Sequence, residues 1–341
     1  MRLAILFSGQ GNQQPAHLEA LRQAPPIAKS LAEPLTDALA ESSTESPTES
    51  LTESLAQALA ARIPDVWQMP DVPLALLQTN RIAQPLIFAS QLALWRQLAQ
   101  RLPRPVAVAG YSLGEMAACC VAGCFTAEEG IALCAERAAA MDACIDTPAG
   151  LLAIAGLPAA RSEALAADCG LAVAIRNGPD HLVLGGPEPG LQRAARQAEQ
   201  LGAARVVRLG VTTPSHTPWL APAAERFASR LASLHPGLHA QPQPQAQRLT
   251  IPVFSAIDGR PAWQGPAALQ ALARQIDHPL DWTACQDAIA ERQPDAILEI
   301  GPGNALARMW AERHPNIPVR ASDEFRSVEG IVEWVEKQGR G

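Results

Sequence analysis

The sequence predicts an α/β protein: a large domain built on a parallel sheet, with a smaller βαββαβ unit inserted in it. Three observations carry that expectation. Short, almost uncharged apolar runs at Leu3–Phe7, Val106–Ala109 and Ala296–Ile300 each end in a Gly-containing turn, as buried parallel strands do. Between residues 150 and 211 the texture changes to closely spaced short strands and helices. The chain's 341 residues, 48% of them hydrophobic, suffice for one large core and a satellite.

In order along the chain, Leu3–Phe7 reads as a buried strand opening into the turn Ser8-Gly9-Gln10-Gly11. Residues 41–54, ESSTESPTESLTES, repeat Thr-Glu-Ser with almost no large apolar side chain and predict a solvated linker or a ragged helix end. From Gln84 to Leu102 apolar residues recur at helical spacing until Pro103 and Pro105 stop the helix. Val106–Ala109 is the next strand; it runs into Gly110-Tyr111-Ser112-Leu113-Gly114-Glu115 and a small-residue helix. Strand, sharp turn and helix in that order make a nucleophile elbow, so the large domain is expected to be α/β-hydrolase-like. Next come strands at 151–157, 172–175, 182–184 and 205–211 and helices at 160–168 and 190–201. That order is ferredoxin-like and places a small subdomain at 149–211, with the large domain at 1–148 and 212–341. The large domain resumes with a strand at 251–256, a helix at 267–276 and a strand at 296–300 entering Gly301-Pro302-Gly303-Asn304; Pro242–Gln247 is a loop.

Composition narrows the function. Net charge is −7, and the 27 Lys and Arg residues never gather into a basic stripe, which argues against a nucleic-acid surface. The first apolar run is too short for a signal-peptide core and no later one is long enough to cross a bilayer, so a cytoplasmic protein without membrane partners is expected. Seven cysteines, without C-x-x-C spacing, read as small apolar fillers rather than a disulfide framework or a metal site. Walker-A, H-E-x-x-H and strand-borne G-x-G-x-x-G motifs are all missing, which removes the usual parts of nucleotide hydrolysis, zinc hydrolysis and dinucleotide redox chemistry.

The candidate chemistry centres on Ser112. Its flanking glycines allow the sharp bend that holds a serine hydroxyl at the end of a strand beside a helix N-terminus. A pattern of three fixed residues arises by chance in roughly one chain in ten of this length at about 7% abundance each, so the motif needs its strand–helix context. A serine needs a base. Of seven histidines, His216, in Thr213-Pro214-Ser215-His216-Thr217-Pro218 after a strand, is the best placed; His235, His239 and His314 sit in expected surface loops, and His17, His181 and His278 stay undecided. Gln10, in the first turn, is a candidate oxyanion donor or a plain solvated amide. Arg137, on the helical stretch 128–141, could grip a carboxylate with its planar fork or be an ordinary surface arginine.

Taken together, the segments FSGQGNQ, GYSLGE, ERAAAMDA, RNGPDHLVLGG, TPSH, ARQIDHPLDW and LEIGPGNAL resemble, in order, those of malonyl-CoA:acyl carrier protein transacylases and the acyltransferase domains of polyketide synthases. The resemblance covers nearly the whole chain. It implies Ser112 as acylated nucleophile, His216 as its base, the main-chain carbonyl of Gln275 orienting the imidazole, and Gln10 with the Leu113 N–H as oxyanion hole. Arg137 would hold the malonyl carboxylate, and Tyr111 and Asn177 would border the substrate. Malonyl-CoA would be the substrate, the phosphopantetheine-type thiol of an acyl carrier protein the acceptor, with no bound cofactor or metal. Three departures stand out: Tyr111, the chain's only tyrosine, replaces the usual histidine, Ser8 the usual proline, and Asp281 a common glutamine. Gly-Tyr-Ser, DHLVLGG and the ending ASDEFRSVEGIVEWV look similar to the epsilon subunit of malonate decarboxylase, which would make that enzyme's carrier subunit the acceptor.

Two other classes compete. A plain esterase or thioesterase would share Ser112, but its histidine should fall late in the chain, and His216 comes early. A catalytically silent scaffold for a carrier or synthase would have lost Ser112 or His216, and this chain keeps both.

Overall fold

The structure, a computed structural model, describes residues 1–23, 47–234 and 248–339. The chain opens with β1 (Leu3–Phe7), α1 (Pro15–Arg22), α2 (Pro47–Arg62), α3 (Pro64–Trp67), α4 (Leu74–Leu77) and α5 (Asn80–Ala99). It continues with β2 (Ala107–Gly110), α6 (Gly114–Val121) and α7 (Ala127–Asp142). A second unit follows: β3 (Ala149–Ala155), α8 (Ala159–Asp168), β4 (Ala172–Gly178), β5 (His181–Pro187), α9 (Glu188–Gln200) and β6 (Arg205–Arg208). The chain then returns through α10 (Ala221–Leu234), β7 (Arg248–Phe254), β8 (Pro261–Gln264), α11 (Gly265–Arg274), β9 (Leu280–Asp281) and α12 (Trp282–Ala290). It ends with β10 (Ala296–Ile300), α13 (Ala305–Arg313), β11 (Val319–Ala321) and α14 (Val328–Gln338).

The large sheet has six strands in the order β11-β10-β1-β2-β7-β8, parallel throughout except for the final β7–β8 pair. β1 sits at its centre, and its side chains alternate between two cores. Leu3, Ile5 and Phe7 join the helical layer of α5, α6 and α7, whereas Ala4 and Leu6 join the layer holding Trp282 and Trp310. An unbroken apolar run is what a strand covered on both faces requires.

The small sheet has the order β6-β3-β5-β4-β9, with the first four strands antiparallel, which is the strand order of a ferredoxin-like unit. One face carries its own core against α8 and α9 (Leu152, Ile154, Leu165, Leu191); the other contributes Leu151, Ala174 and Val183 to the second core of the large sheet. The fifth strand, β9, comes from the later chain and pairs parallel with β4, Ile175 opposite Leu280 and Arg176 opposite Asp281. Sequence reading did not foresee β9: two residues are too short to carry a periodicity. Asp281, one of the departures from the family pattern, caps α12 by accepting from the Ala284 N–H at 2.9 Å.

Most expected elements are present with ends shifted by a few residues. The expected strand at 205–211 stops at Arg208, and the helix expected from Gln84 begins at Asn80. Pro85 lies inside it, about one turn and a half from its start, where it removes one i→i−4 hydrogen bond. Of the Thr-Glu-Ser stretch, residues 47–54 belong to α2, whose later turns bury Leu55 and Leu59. Residues 41–46, and the Pro242–Gln247 loop, lie outside the described residues.

Candidate active site

Ser112 stands between β2 and α6 with φ of 54°, a left-handed conformation that costs a β-substituted residue energy. The flanking glycines make that bend physically feasible. A Cβ on Gly110 would lie 1.9 Å from the Gly114 carbonyl carbon, and one on Gly114 would lie 2.0 Å from the Phe7 carbonyl oxygen. The elbow is thus wedged against both its own helix and the end of β1, and only glycine fits at either position.

His216 also adopts a positive φ, 64°. Its backbone N–H donates to the Ile276 carbonyl at 2.8 Å. Its ring closes a relay: Nε2 lies 2.8 Å from Ser112 Oγ, and Nδ1 lies 2.5 Å from the Gln275 carbonyl oxygen. A carbonyl oxygen only accepts, so Nδ1 carries the hydrogen and Nε2 presents its lone pair to the serine hydroxyl. Burial, opposed by the Gln275 bond and assisted by the positive charge of Arg137, lowers the imidazole pKa to about 3. The ring is therefore neutral at physiological pH, the form that can take a proton from Ser112.

Gln275 does more than its main chain was expected to do. Its side-chain Nε2 donates to the Ser112 carbonyl at 3.0 Å, so one residue at the end of α11 steadies both the serine turn and the histidine ring. The histidine loop is held from the other side by a polar network: Asn80 Nδ2 donates to Asp142 Oδ1 at 2.6 Å and to Thr213 Oγ1 at 3.3 Å, and Thr213 lies 3.3 Å from Ser215 Oγ. This network ties the start of α5 and the end of α7 to the loop, and sequence reasoning missed it. Its signal was faint, an asparagine at a helix start far from any motif.

Around the serine, the N–H of Leu113 sits at the start of α6, where helix geometry leaves donors open, and it has no partner among the described residues. The same holds for the Gln10 N–H. The Gln10 side chain is committed elsewhere: its Nε2 donates to the Gln78 carbonyl at 2.8 Å. Any donor that Gln10 offers an oxyanion is therefore its backbone N–H, and the amide serves to fix the turn.

Arg137 is fully buried, not a surface residue. Its Nη1 donates to Gln84 Oε1 at 2.8 Å, while Nε and Nη2, which form one edge of the guanidinium, have no partner. Burial lowers its pKa to about 10, which leaves it cationic at neutral pH. Gln84 was missed as its anchor, although a glutamine buried on an otherwise apolar helix face was the available signal.

Tyr111 donates its hydroxyl to Asn177 Oδ1 at 3.1 Å, joining the elbow to β4 of the small sheet, and meets Trp282 edge-on with ring centroids 5.3 Å apart. Ser8 donates to Glu299 Oε1 at 2.7 Å, a bond the family's usual proline could not make. The remaining described histidines have other settings: His17 bonds the Gln14 N–H, His181 opens β5 opposite Ala155, His278 pairs with Asp277, and His314 stacks on Trp310 beside Asp287. His235 and His239 fall outside the described residues. Among the described residues, no helix is long and apolar enough to cross a membrane.

A serine held in a strained strand–helix turn, hydrogen-bonded to a neutral histidine and flanked by open N–H groups, has the parts an acyl-transfer enzyme needs. The chain belongs to the acyl transferase domain family, which it matches over residues 5–311, and it is an acyltransferase. It is 32% identical over 244 residues to the malonyl-CoA–acyl carrier protein transacylase of Mycobacterium tuberculosis, covering 70% of this chain and 77% of that protein. Against the transacylase of the same name from Haemophilus influenzae it is 28% identical over 282 residues, 80% of this chain and 86% of the other. In structure it is similar to the malonyl-CoA:acyl carrier protein transacylase of Xanthomonas oryzae, with a TM-score of 0.79 and 26% identity over 98% of this chain and 99% of that one.

Proposed function

We propose that this acyltransferase moves malonyl from coenzyme A to the phosphopantetheine-type thiol of an acyl carrier protein through a malonyl-Ser112 intermediate. The observation that carries the reading is the fully buried Arg137 with its Nε and Nη2 edge unpartnered, in a site where Ser112 already meets a neutral imidazole. A cation kept out of water with an open donor edge calls for a carboxylate on the acyl group. The relatives' shared activity, malonyl transfer between coenzyme A and carrier protein, supports the same substrate.

The steps follow from the relay. Ser112 Oγ attacks the thioester carbon as its proton passes to His216 Nε2. The developing oxyanion is met by the N–H groups of Leu113 and Gln10, each donor worth about 10² to 10³ in rate. The carbon–sulfur bond then breaks and His216 returns the proton to the departing coenzyme A thiolate. In the second half the carrier thiol gives its proton to His216, its sulfur attacks the malonyl ester, and the proton passes to Ser112 Oγ as the carbon–oxygen bond opens. A carbonyl, rather than a carboxylate, behind His216 orients the ring without adding a buried negative charge.

For the acceptor, the likeness of the elbow, the DHLVLGG segment and the C-terminal segment to the malonate decarboxylase epsilon subunit favours that enzyme's carrier subunit over a fatty-acid or polyketide carrier. The test is intact mass after brief mixing with malonyl-CoA, then with each holo-carrier. A malonyl adduct on the wild type and none on Ser112→Ala supports the transfer reading; no adduct on folded wild type overturns it. Faster discharge to a fatty-acid carrier than to the malonate decarboxylase carrier overturns the choice of acceptor alone.

A further inference from the structure

Gln275 reaches the site twice, and only its main-chain half has a part in the proton relay. The residue is fully buried at the end of α11, where its own N–H donates to the Ala271 carbonyl at 3.0 Å. Its side-chain Nε2 donates to the Ser112 carbonyl at 3.0 Å, and its Oε1 has no partner among the described residues. That one bond fixes which way the amide faces, because turned over it would set Oε1 against another acceptor. The Ser112 carbonyl also accepts from the Glu115 N–H at 3.1 Å, so both of its lone pairs are engaged.

This carbonyl belongs to the same planar peptide unit as the Leu113 N–H, the open donor at the start of α6. In a trans peptide the two groups point to opposite sides of the chain, so a donor that holds the oxygen also holds the direction of the hydrogen. The hold matters because Ser112, with φ of 54°, keeps a left-handed conformation only while its surroundings impose it.

We propose that the Gln275 side-chain amide is a positioning group for the oxyanion hole: by holding the Ser112 carbonyl it aims the Leu113 N–H at the acyl oxygen. The bond to the carbonyl also draws electron density from the peptide nitrogen and makes its N–H the stronger donor. Because the main-chain carbonyl of the same residue lies 2.5 Å from His216 Nδ1, one residue sets the base and the oxyanion donor relative to each other. The Gln10 N–H has a separate anchor, the Gln10 amide on the Gln78 carbonyl. The proposal rests on the reading of Ser112 and the Leu113 N–H given above.

The experiment reads the infrared carbonyl band of the acyl-enzyme, formed from malonyl-CoA isotope-labelled at the thioester carbonyl carbon, in wild type, Gln275→Met and Gln275→Asn. Gln275→Met keeps the length of the side chain without its donor, and Gln275→Asn keeps an amide but draws it back by one methylene. Both leave the main-chain carbonyl to His216. Hydrogen bonds from the hole lower the stretching frequency of the ester carbonyl, so the band should lie at higher wavenumber in both variants than in wild type. Acylation of Ser112 should slow about tenfold or more, with the half-saturating malonyl-CoA concentration within about twofold of wild type. A band at the wild-type position in a folded variant overturns the proposal even where the rate has fallen, since a displaced base slows acylation without weakening the bonds to the acyl oxygen. If Gln275→Met does not fold, Gln275→Asn decides by the same band. Failure of the malonyl reading looks different: no malonyl-enzyme forms on wild type, and the same bands, read on acetyl-Ser112 made from an activated acetyl ester, still decide the role of Gln275.

Discussion

Two turns at the edge of the large sheet, the one after β2 and the one after β10, share their ingredients and differ in what they leave unfinished. Each has a glycine-containing loop, a helix start and a buried glutamate whose pKa burial raises, to about 8 for Glu115 and about 7 for Glu299. Glu299 is saturated: Ser8 Oγ and the N–H groups of Leu306 and Ala307 donate to it at 2.7, 3.3 and 2.7 Å. Glu115 has one donor and one idle oxygen, three residues after a serine in a strained conformation. A saturated carboxyl welds α13 to the end of β1 and can do little else. An unsaturated one keeps an acceptor open.

That contrast can be broken in several ways. The largest effect is expected for Ser112→Ala, which should lower malonyl transfer by about 10⁴-fold or more while leaving the melting temperature within a few degrees. Residual transfer at even a hundredth of the wild-type rate would remove Ser112 from the nucleophile's role. Next, Arg137→Ala should reduce malonyl loading by about 10²-fold and acetyl loading far less, because only malonyl loses a charge partner. Equal losses in the two rates would take the carboxylate away from Arg137. For the saturated turn, Glu299→Ala should cost about 2 to 4 kcal/mol of stability by stranding three donors, read as a lower denaturant midpoint. It should leave the malonyl-to-acetyl ratio alone; a shifted ratio would collapse the distinction between the two turns.

The pH dependence of stability tests both regions together. His216, lowered to about 3, contributes stability that is present above the ordinary imidazole range and is lost as pH falls toward that value. Glu115 and Glu299, raised to about 8 and about 7, contribute stability that is full in acid and is lost as pH rises through those values. The midpoint of unfolding should therefore decline on both sides of a maximum, and Glu299→Gln should flatten the alkaline side. An alkaline side unchanged in that variant would remove Glu299 from it. The smallest effect belongs to Tyr111→Phe, which loses one half-buried hydrogen bond to Asn177 and should cost about 1 kcal/mol. A loss several times larger would mean that the bond holds the two sheets in place rather than merely joining them.

Much of this was legible before the structure, and for definite reasons. Buried parallel strands announce themselves as uncharged apolar runs, so β1, β2 and β10 were readable, and the alternation of short elements exposed the small unit. The elbow was readable because its backbone demands glycine at 110 and 114, a constraint that leaves a mark in sequence. His216 could be favoured but not fixed, since the Gln275 carbonyl that orients it is main chain and has no side-chain signature. For the same reason the second role of Gln275, through its amide, was invisible, as were Gln84 and the Asn80–Asp142–Thr213 network. These residues act over separations of about fifty to about a hundred and sixty positions, which no local pattern encodes. On its helix Arg137 could be read as a carboxylate clamp or as an ordinary surface arginine, and burial removes the second reading.

The two-residue strand β9 bears on how this enzyme could be rebuilt. The βαββαβ segment looks like a cassette that could be exchanged for another. Yet its last strand pair, Ile175–Leu280 and Arg176–Asp281, is supplied from about a hundred residues downstream, immediately before the Trp282 that meets Tyr111 edge-on. Swapping 149–211 alone would give the newcomer an unmatched edge and the elbow an unfamiliar neighbour. A transplant that also carries 280–282 would cut the chain where the structure is already joined.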